Sequence, residues 1–336
     1  MNSFGRLFQV HLYGESHQKA IGVVIEGVLP GTVIDEASIA ADLRLRNPVA
    51  IGTTPRKEPD AFEITSGVLN GKATGSPIHV IIVNQDVQSK DYEPLKQHPR
   101  PGHADFVAAH KFHGFHDPRG GGRFSGRLTA PLVVAGAIAK MTVPYRFSHR
   151  LKQVGSLKDM RHLDAYLSEI AAQGDSVGGV IEVTVEDVPL GLGEPMFAKV
   201  ESLIGQFIFS LPAVKGVSIG LGFEGIETLG SAFNDRYEDA TGRTLTNHSG
   251  GVSGGITNGN PLVVTVFVKP TSSIKKAQKT YHLGSKDKQI LEVGGRHDVC
   301  IARRAGIVME NAVAIVLADL QLQHESREAL LARRAH

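Results

Sequence analysis

Three consecutive glycines, Gly120-Gly121-Gly122, separate a histidine-rich segment from an apolar run, Leu132 to Ala139. Regular structure does not continue cheaply through three glycines, so the backbone turns there, with φ > 0 and bare N–H groups open to a ligand. The stretch from Arg100 to Arg127 also carries His103, His110, His113 and His116, with Arg100, Arg119, Arg123 and Arg127. Arginines around such a turn suit a carboxylate or phosphate held bidentately. Thr129 followed by Pro131 reads as the N-cap and early proline of a buried helix, whose N-terminus adds partial positive charge.

Within this stretch the histidines divide. His110, His113 and His116 read as a solvated face. Zinc is not expected of them, because Gly114 and Pro118 oppose one helix through all three. His103 differs, since Pro101-Gly102 sets it in a shaped turn with Asp105 two residues on.

Composition narrows the function classes. The 336 residues can bury a sizeable core, as one large domain or two. Lys+Arg 36 against Asp+Glu 34 gives no general basic grip on nucleic acid, and the absence of Trp leaves few base-stacking platforms. One cysteine, Cys300, permits no internal disulfide and suits a reducing cytosol. The first residues lack the apolar core of a signal peptide, and no run is expected to span a bilayer.

Along the chain, strands are expected at 7–12, 22–28, 61–69 and 77–84, and a helix capped by Asp35 runs to Asn47-Pro48. Arg44, Arg46 and Arg56 lie near that helix end. The polar segment 84–99 reads as a loop over the site, and residues 156–173 and 195–211 as helices. A strand at 262–269 runs into Lys269-Pro270-Thr271-Ser272-Ser273, a plausible phosphate cradle without a Walker loop. Gly294-Gly295-Arg296-His297-Asp298 precedes an apolar helix. Gly14-Glu15-Ser16 and Gly174-Asp175-Ser176 each precede a similar strand, a faint internal echo. GxGxxG occurs at Gly220 to Gly225, but no clear helix follows, so a dinucleotide fold has little support. The inventory suits a multiply anionic small substrate and a phosphate-bearing cofactor, with two histidines and an aspartate for proton transfer. Read from residues alone, that is a phosphate-handling lyase or transferase.

Six motifs add a resemblance: GESH at 14–17, RPGHAD at 100–105, GGG-R-x-S at 120–125, GGxxGGIxNGxP at 250–261, KPTSSI at 269–274 and GRHD at 295–298. In this order and over nearly the whole length, the chain resembles the chorismate synthase family. The resemblance implies an α+β fold, with helices between two antiparallel sheets and an internal pseudo-repeat. It also implies one domain over 1–336, with halves of roughly 1–150 and 151–325.

The activity implied is the 1,4-anti elimination of phosphate from 5-enolpyruvylshikimate 3-phosphate to chorismate, needing reduced FMN without net redox change. His17 is similar to the acid near the departing phosphate, His103 to the histidine serving the flavin, and Asp298 to the aspartate that exchanges the flavin N5 proton. Ser16 and Ser125 would hold the two histidines. Arg123, Phe124, Ser125, Pro212, Ala213, Gly254, Lys269, Pro270, Thr271, Ser272, Ser273 and Arg296 match cofactor-contacting positions, and Arg46 and Arg127 the substrate-anion holders. No metal is implied. The family implies a cytoplasmic homotetramer. Without a large insertion the chain is expected to take reduced flavin from a separate flavin reductase, with NADP as the associated nicotinamide. Gln18, Leu45, Phe124, Gly126, Leu128 and Val299 depart from the commoner pattern, and Pro48 to Thr53 is one residue short. Two other readings stay open: a binding protein that has lost catalysis, and a nucleic-acid module.

Overall fold

Alternation of large aliphatic side chains with smaller or polar ones drives two sheets. In β3 (Ala20–Glu26), Ile21, Val23 and Ile25 are fully buried, and in β7 (Ile78–Val83) so are Ile78, Val80 and Ile82. Residues two apart share a face, so each strand presents one apolar side. The computed structural model describes residues 2–47, 50–53, 60–85, 97–294 and 297–334. Its first sheet adds β1 (Ser3–Phe4), β2 (Gln9–Gly14) and β4 (Phe62–Ser66) in the order β1-β2-β3-β7-β4, antiparallel throughout. A small hairpin, β5 (Val68–Leu69) with β6 (Lys72–Ala73), sits before β7.

The second sheet is built alike. It orders β10 (Val214–Ile219), β13 (Leu262–Val268), β9 (Gly179–Glu186) and β8 (Arg146–Val154), again antiparallel, with Val183 opposite Val264. Between the sheets lie α3 (Thr129–Met141) and α7 (Ala302–Arg334). Helix α3 packs on β3 and β7, α7 on β8 and β9, and the two helices on each other. They cross where Gly136 meets Asn311, and a Cβ at Gly136 would collide with that residue. Helix α1 (Glu36–Arg46) leans on both central helices, and α5 (Val200–Phe209) on α7 and β10. The expected α+β sandwich is what forms.

The internal echo has a topological counterpart. The succession β2, β3, α1, β4, β7, α3 is matched by β8, β9, α5, β10, β13, α7, and the sheet orders β2-β3-β7-β4 and β8-β9-β13-β10 correspond. Gly14-Glu15-Ser16 runs from the end of β2 into its connection to β3, and Gly174-Asp175-Ser176 lies shortly before β9. Additions to the repeat are α2 (Asp105–Lys111), α4 (Leu163–Ala172), α6 (Gly230–Phe233) and the hairpins β11 (Val252–Ser253) with β12 (Ile256–Thr257) and β14 (Gln278–Tyr281) with β15 (Lys288–Leu291).

Two expectations need correction. By length and composition α7 is apolar enough to cross a membrane, but 89% of that window is buried inside the protein, between the sheets. Thr129 is not an N-cap. It lies within the first turn of α3, its hydroxyl donating to Gly126 O at 2.6 Å, while Ser125 caps the short turn before it by accepting from Arg127 N.

Charged groups inside the sandwich are paired. Lys140 of α3 joins Asp42 of α1 to Glu310 of α7, and His149 of β8 bonds the other Glu310 oxygen at 2.6 Å. Asp319 of α7 does different work: its Oδ1 accepts from the backbone N–H groups of Arg6, Leu7 and Phe8 at 2.9, 2.7 and 3.0 Å. Asp319→Ala leaves three donors unpaired, that of Phe8 fully buried. The expected loss is about 3 kcal/mol, read as a lower urea midpoint at unchanged slope.

Candidate active site

A cavity of about 760 Å³ opens where the two halves meet. Gly120 of the triple-glycine turn lines it, and the turn's conformation explains the glycines. Gly120, Gly121 and Gly122 have φ of 58°, 80° and 50°. A Cβ at Gly120 would collide with the His17 imidazole, and one at Gly121 would press on the His103 ring at 3.4 Å. The turn therefore passes between the two histidines, which lie far apart in sequence. Gly120→Ala is expected to displace His17 and lower turnover at least about tenfold, in steady-state kinetics on protein with an unchanged circular dichroism spectrum.

His17 is buried, and Ser16 Oγ lies 3.1 Å from its Nδ1, the contact expected of that serine. His103 is held differently. Its Nδ1 lies 2.5 Å from Asp105 Oδ1, and the Ser125 hydroxyl is instead engaged with Arg127 N. The hydrogen-bond partner the structure gives His103 Nδ1 is thus Asp105, while Ser125 accepts from Arg127 N.

The RPGHAD turn is clamped to the KPTSSI segment of the other half. Lys269 Nζ donates to Gly102 O and Ser272 Oγ at 2.6 Å each, Ser272 Oγ donates to Gly102 O at 2.7 Å, and Arg100 donates to Ser273 Oγ at 3.1 Å. Burial, and the nearby charge of Lys215, push the Lys269 ammonium below its ordinary value. Lys269 N also donates to Ala213 O, and Ala213 takes φ of 68° in the turn that brings Pro212-Ala213 to the cavity. Pro270, Thr271, Ser272 and Ser273 all line the cavity.

On the opposite side, Arg46 from the end of α1 and Arg127 from the turn before α3 converge on one buried carboxylate, Asp60. Asn47 donates to the same group at 2.8 Å. Burial alone would raise the Asp60 carboxyl, but the charges of Arg46 and Arg127 outweigh it and hold it below the usual range. Arg304 of α7 pairs with Asp298 at 3.2 Å and donates to Arg46 O at 3.0 Å. Arg44 is exposed at the far side of α1, and Arg56 lies outside the described residues.

Among the described residues, six cations line the cavity, namely Arg46, Arg100, Arg127, Lys215, Lys269 and Arg304. Three carboxylates, Asp60, Asp105 and Asp298, pair with them, which leaves positive charge for an anionic ligand. Leu211, Ile301, Ala305, Val308 and Met309 add an apolar part to the lining. His297 also lines it, its imidazole pushed below its ordinary value by burial.

Two expected cofactor positions, Arg123 and Gly254, do not join this lining. Arg123 turns back to the carbonyls of β2, donating to Leu12 O at 3.0 Å and to Asn2 Oδ1 at 2.9 Å. Gly254 is the tip of the β11–β12 hairpin, where its φ of 64° serves the reversal. Arg296, like most of the 84–99 loop, lies outside the described residues. Phe124 does line the cavity, beside Phe112 with ring centroids 6.5 Å apart. Gln18 earns its place by donating to Asp117 at 2.9 Å, tying the GESH loop to the central stretch. Arg304, Asn47, Asp60 and the Val308-Met309 wall were not expected. The only signal for Arg304 was its position just after GRHD, and Asp60 had none.

Known proteins match this arrangement. A family model described as chorismate synthase matches residues 8–322. A chorismate synthase of Chitinophaga pinensis is 50% identical over 324 residues, covering 96% of this chain and 97% of that protein. One of Dehalococcoides mccartyi is 42% identical over 353 residues, with 96% and 97% covered. A crystal structure titled as chorismate synthase superposes with a TM-score of 0.75 at 27% identity, covering 96% of this chain and 93% of that one. Matched by that family model over nearly its whole length and half identical to a named relative, the chain belongs to the chorismate synthase family of lyases.

Proposed function

We propose that this chain eliminates phosphate from 5-enolpyruvylshikimate 3-phosphate to give chorismate, with reduced FMN bound beside the substrate. The observation that carries the reading is the meeting of His17, His103, Asp298 and six cations around one cavity with an apolar wall. The substrate carries two carboxylates and a phosphate, which need that excess of positive charge. Reduced FMN fits the rest. Leu211, Val308 and Met309 suit an apolar ring system, Lys269 and the hydroxyls of 271–273 suit its polar edge and phosphate, and the buried Thr271 hydroxyl has no hydrogen-bond partner among the described residues.

Reduced FMN, when bound, supplies transient electron density that assists phosphate departure. The chain's own residues bind, orient and manage protons. Arg46 and Arg127, fixed by Asp60, and Arg304 hold substrate anions. His17, steadied by Ser16 and Gly120, donates a proton to the leaving phosphate. His103 and Asp298, both lining the cavity, would stand at the edge of the bound flavin as proton-handling groups. Burial of the site excludes water that would compete for these protons.

The chain works as a single unit of two halves, in the cytoplasm, as a homotetramer. Exposed apolar side chains, Phe197, Phe223, Ile226 and Leu229, support assembly. Reduced flavin comes from a separate, NADP-linked reductase. The test compares anaerobic chorismate formation with reduced FMN, with oxidised FMN and without flavin. Chorismate in the first alone is expected, and its absence from all three, with folded protein, contradicts the reading.

A further inference from the structure

We propose that Asp105 is a positioning residue for His103, fixing the proton on Nδ1 and the orientation of the ring, with Arg100 as its anchor. This rests on the reading of His103 as the histidine that serves the flavin. Every acceptor site of the Asp105 carboxylate is engaged. Oδ2 accepts from Arg100 Nε at 2.8 Å and from Arg100 N at 3.0 Å, while Oδ1 accepts from Arg100 NH2 at 2.8 Å and His103 Nδ1 at 2.5 Å.

A guanidinium has no acceptor and keeps its protons. The Asp105 carboxyl is held well below its ordinary range: burial raises it, but the hydrogen bonds and charges of Arg100 and His103 outweigh burial. The carboxylate therefore has no proton to give, and the short contact requires one on His103 Nδ1. The 3.1 Å approach of Arg100 NH2 to the same Nδ1 is then two donors converging on one oxygen.

Fixing Nδ1–H decides what the site receives. Nε2 becomes the nitrogen left to the cavity side of the ring, an acceptor in the neutral imidazole and a donor in the imidazolium. Gly121 leaves room along that edge, since a Cβ there would lie 3.4 Å from Nε2 and Cε1. Arg100 also ties the dyad to Ser273, so the same guanidinium that orients Asp105 joins His103 to the hydroxyl segment of the second half.

The experiment uses full-length, ligand-free protein labelled with 15N-histidine. Long-range proton–nitrogen correlation is recorded at alkaline pH, where the rings are neutral, and His103 is assigned by its loss in His103→Gln. The Nδ1–H tautomer is expected in the unmodified protein, and mainly Nε2–H in Asp105→Asn, whose amide donates to Nδ1. Turnover of Asp105→Asn is expected to fall about 10²-fold with KM little changed. Nε2–H in the unmodified protein, the same tautomer in both proteins, or unaltered turnover would overturn the proposal. If Asp105→Asn does not fold, the unmodified protein's tautomer decides alone. Nδ1–H together with no chorismate from the unmodified protein would leave the dyad standing and remove the lyase reading.

Discussion

His17→Ala and His103→Ala each lower turnover by about 10²-fold or more, with the fold intact. Neither side chain supports the core. His17 lies against Gly120 and Ser16, and His103 against Gly121 and Asp105, on loops at the cavity rather than in the sandwich core. Truncating either removes an imidazole at the cavity and is expected to leave the sandwich untouched. The two substitutions separate in what else they change. Loss of His17 slows phosphate release while flavin binding persists, whereas loss of His103 also weakens reduced FMN. Single-turnover kinetics with binding measured in parallel checks both, and near-normal turnover in either variant removes that histidine from the mechanism.

Asp60→Ala is expected to cost about 3–5 kcal/mol of stability, because it removes the buried carboxylate that two buried guanidiniums, those of Arg46 and Arg127, share. Its pH dependence follows in sign. The folded carboxyl lies below its unfolded value, so its contribution is complete above about pH 4 and is lost as pH falls towards the folded value. Asp105 and Glu310 are shifted the same way, their partners' hydrogen bonds and charges outweighing burial. Stability should therefore drop steeply below about pH 4 in the parent chain and less steeply in Asp60→Asn. Urea midpoints taken from neutral pH downward test this. A parent curve that stays flat to pH 3 would contradict the assigned ion pairs.

What the sequence made legible was local. GESH, RPGHAD, the triple glycine, KPTSSI and GRHD each carry their chemistry within a few residues, and the structure brings described residues of all five to one cavity, of GRHD His297 and Asp298. The helix at Asp35 and the strands at β3 and β7 follow from capping and alternation. What stayed hidden was pairing across the fold. Arg127 meets Asp60 from 67 residues away and Arg100 meets Ser273 from 173 away, and no spacing rule encodes either contact. Strand β8 escaped notice because Arg146, Ser148, Arg150 and Lys152 fill its outer face, so that only Phe147, Leu151 and Val154 give an apolar signal on the inner one. Ser125 was assigned to His103 by resemblance, while Asp105, two residues from that histidine, offers the stronger acceptor. The apolar helix after GRHD read as core, and it is. Its first turns nevertheless supply Arg304, Ala305, Val308 and Met309 to the cavity wall, since a helix buried between two sheets still has one end at their edge.

The most direct measurement is anaerobic stoichiometry: FMN reduced once and held well below the substrate concentration, with chorismate, inorganic phosphate and flavin absorbance followed together. Equal appearance of chorismate and phosphate, far exceeding the flavin present and with the flavin still reduced at the end, is the predicted result. Flavin oxidised in step with product, or phosphate released without chorismate, would contradict the account.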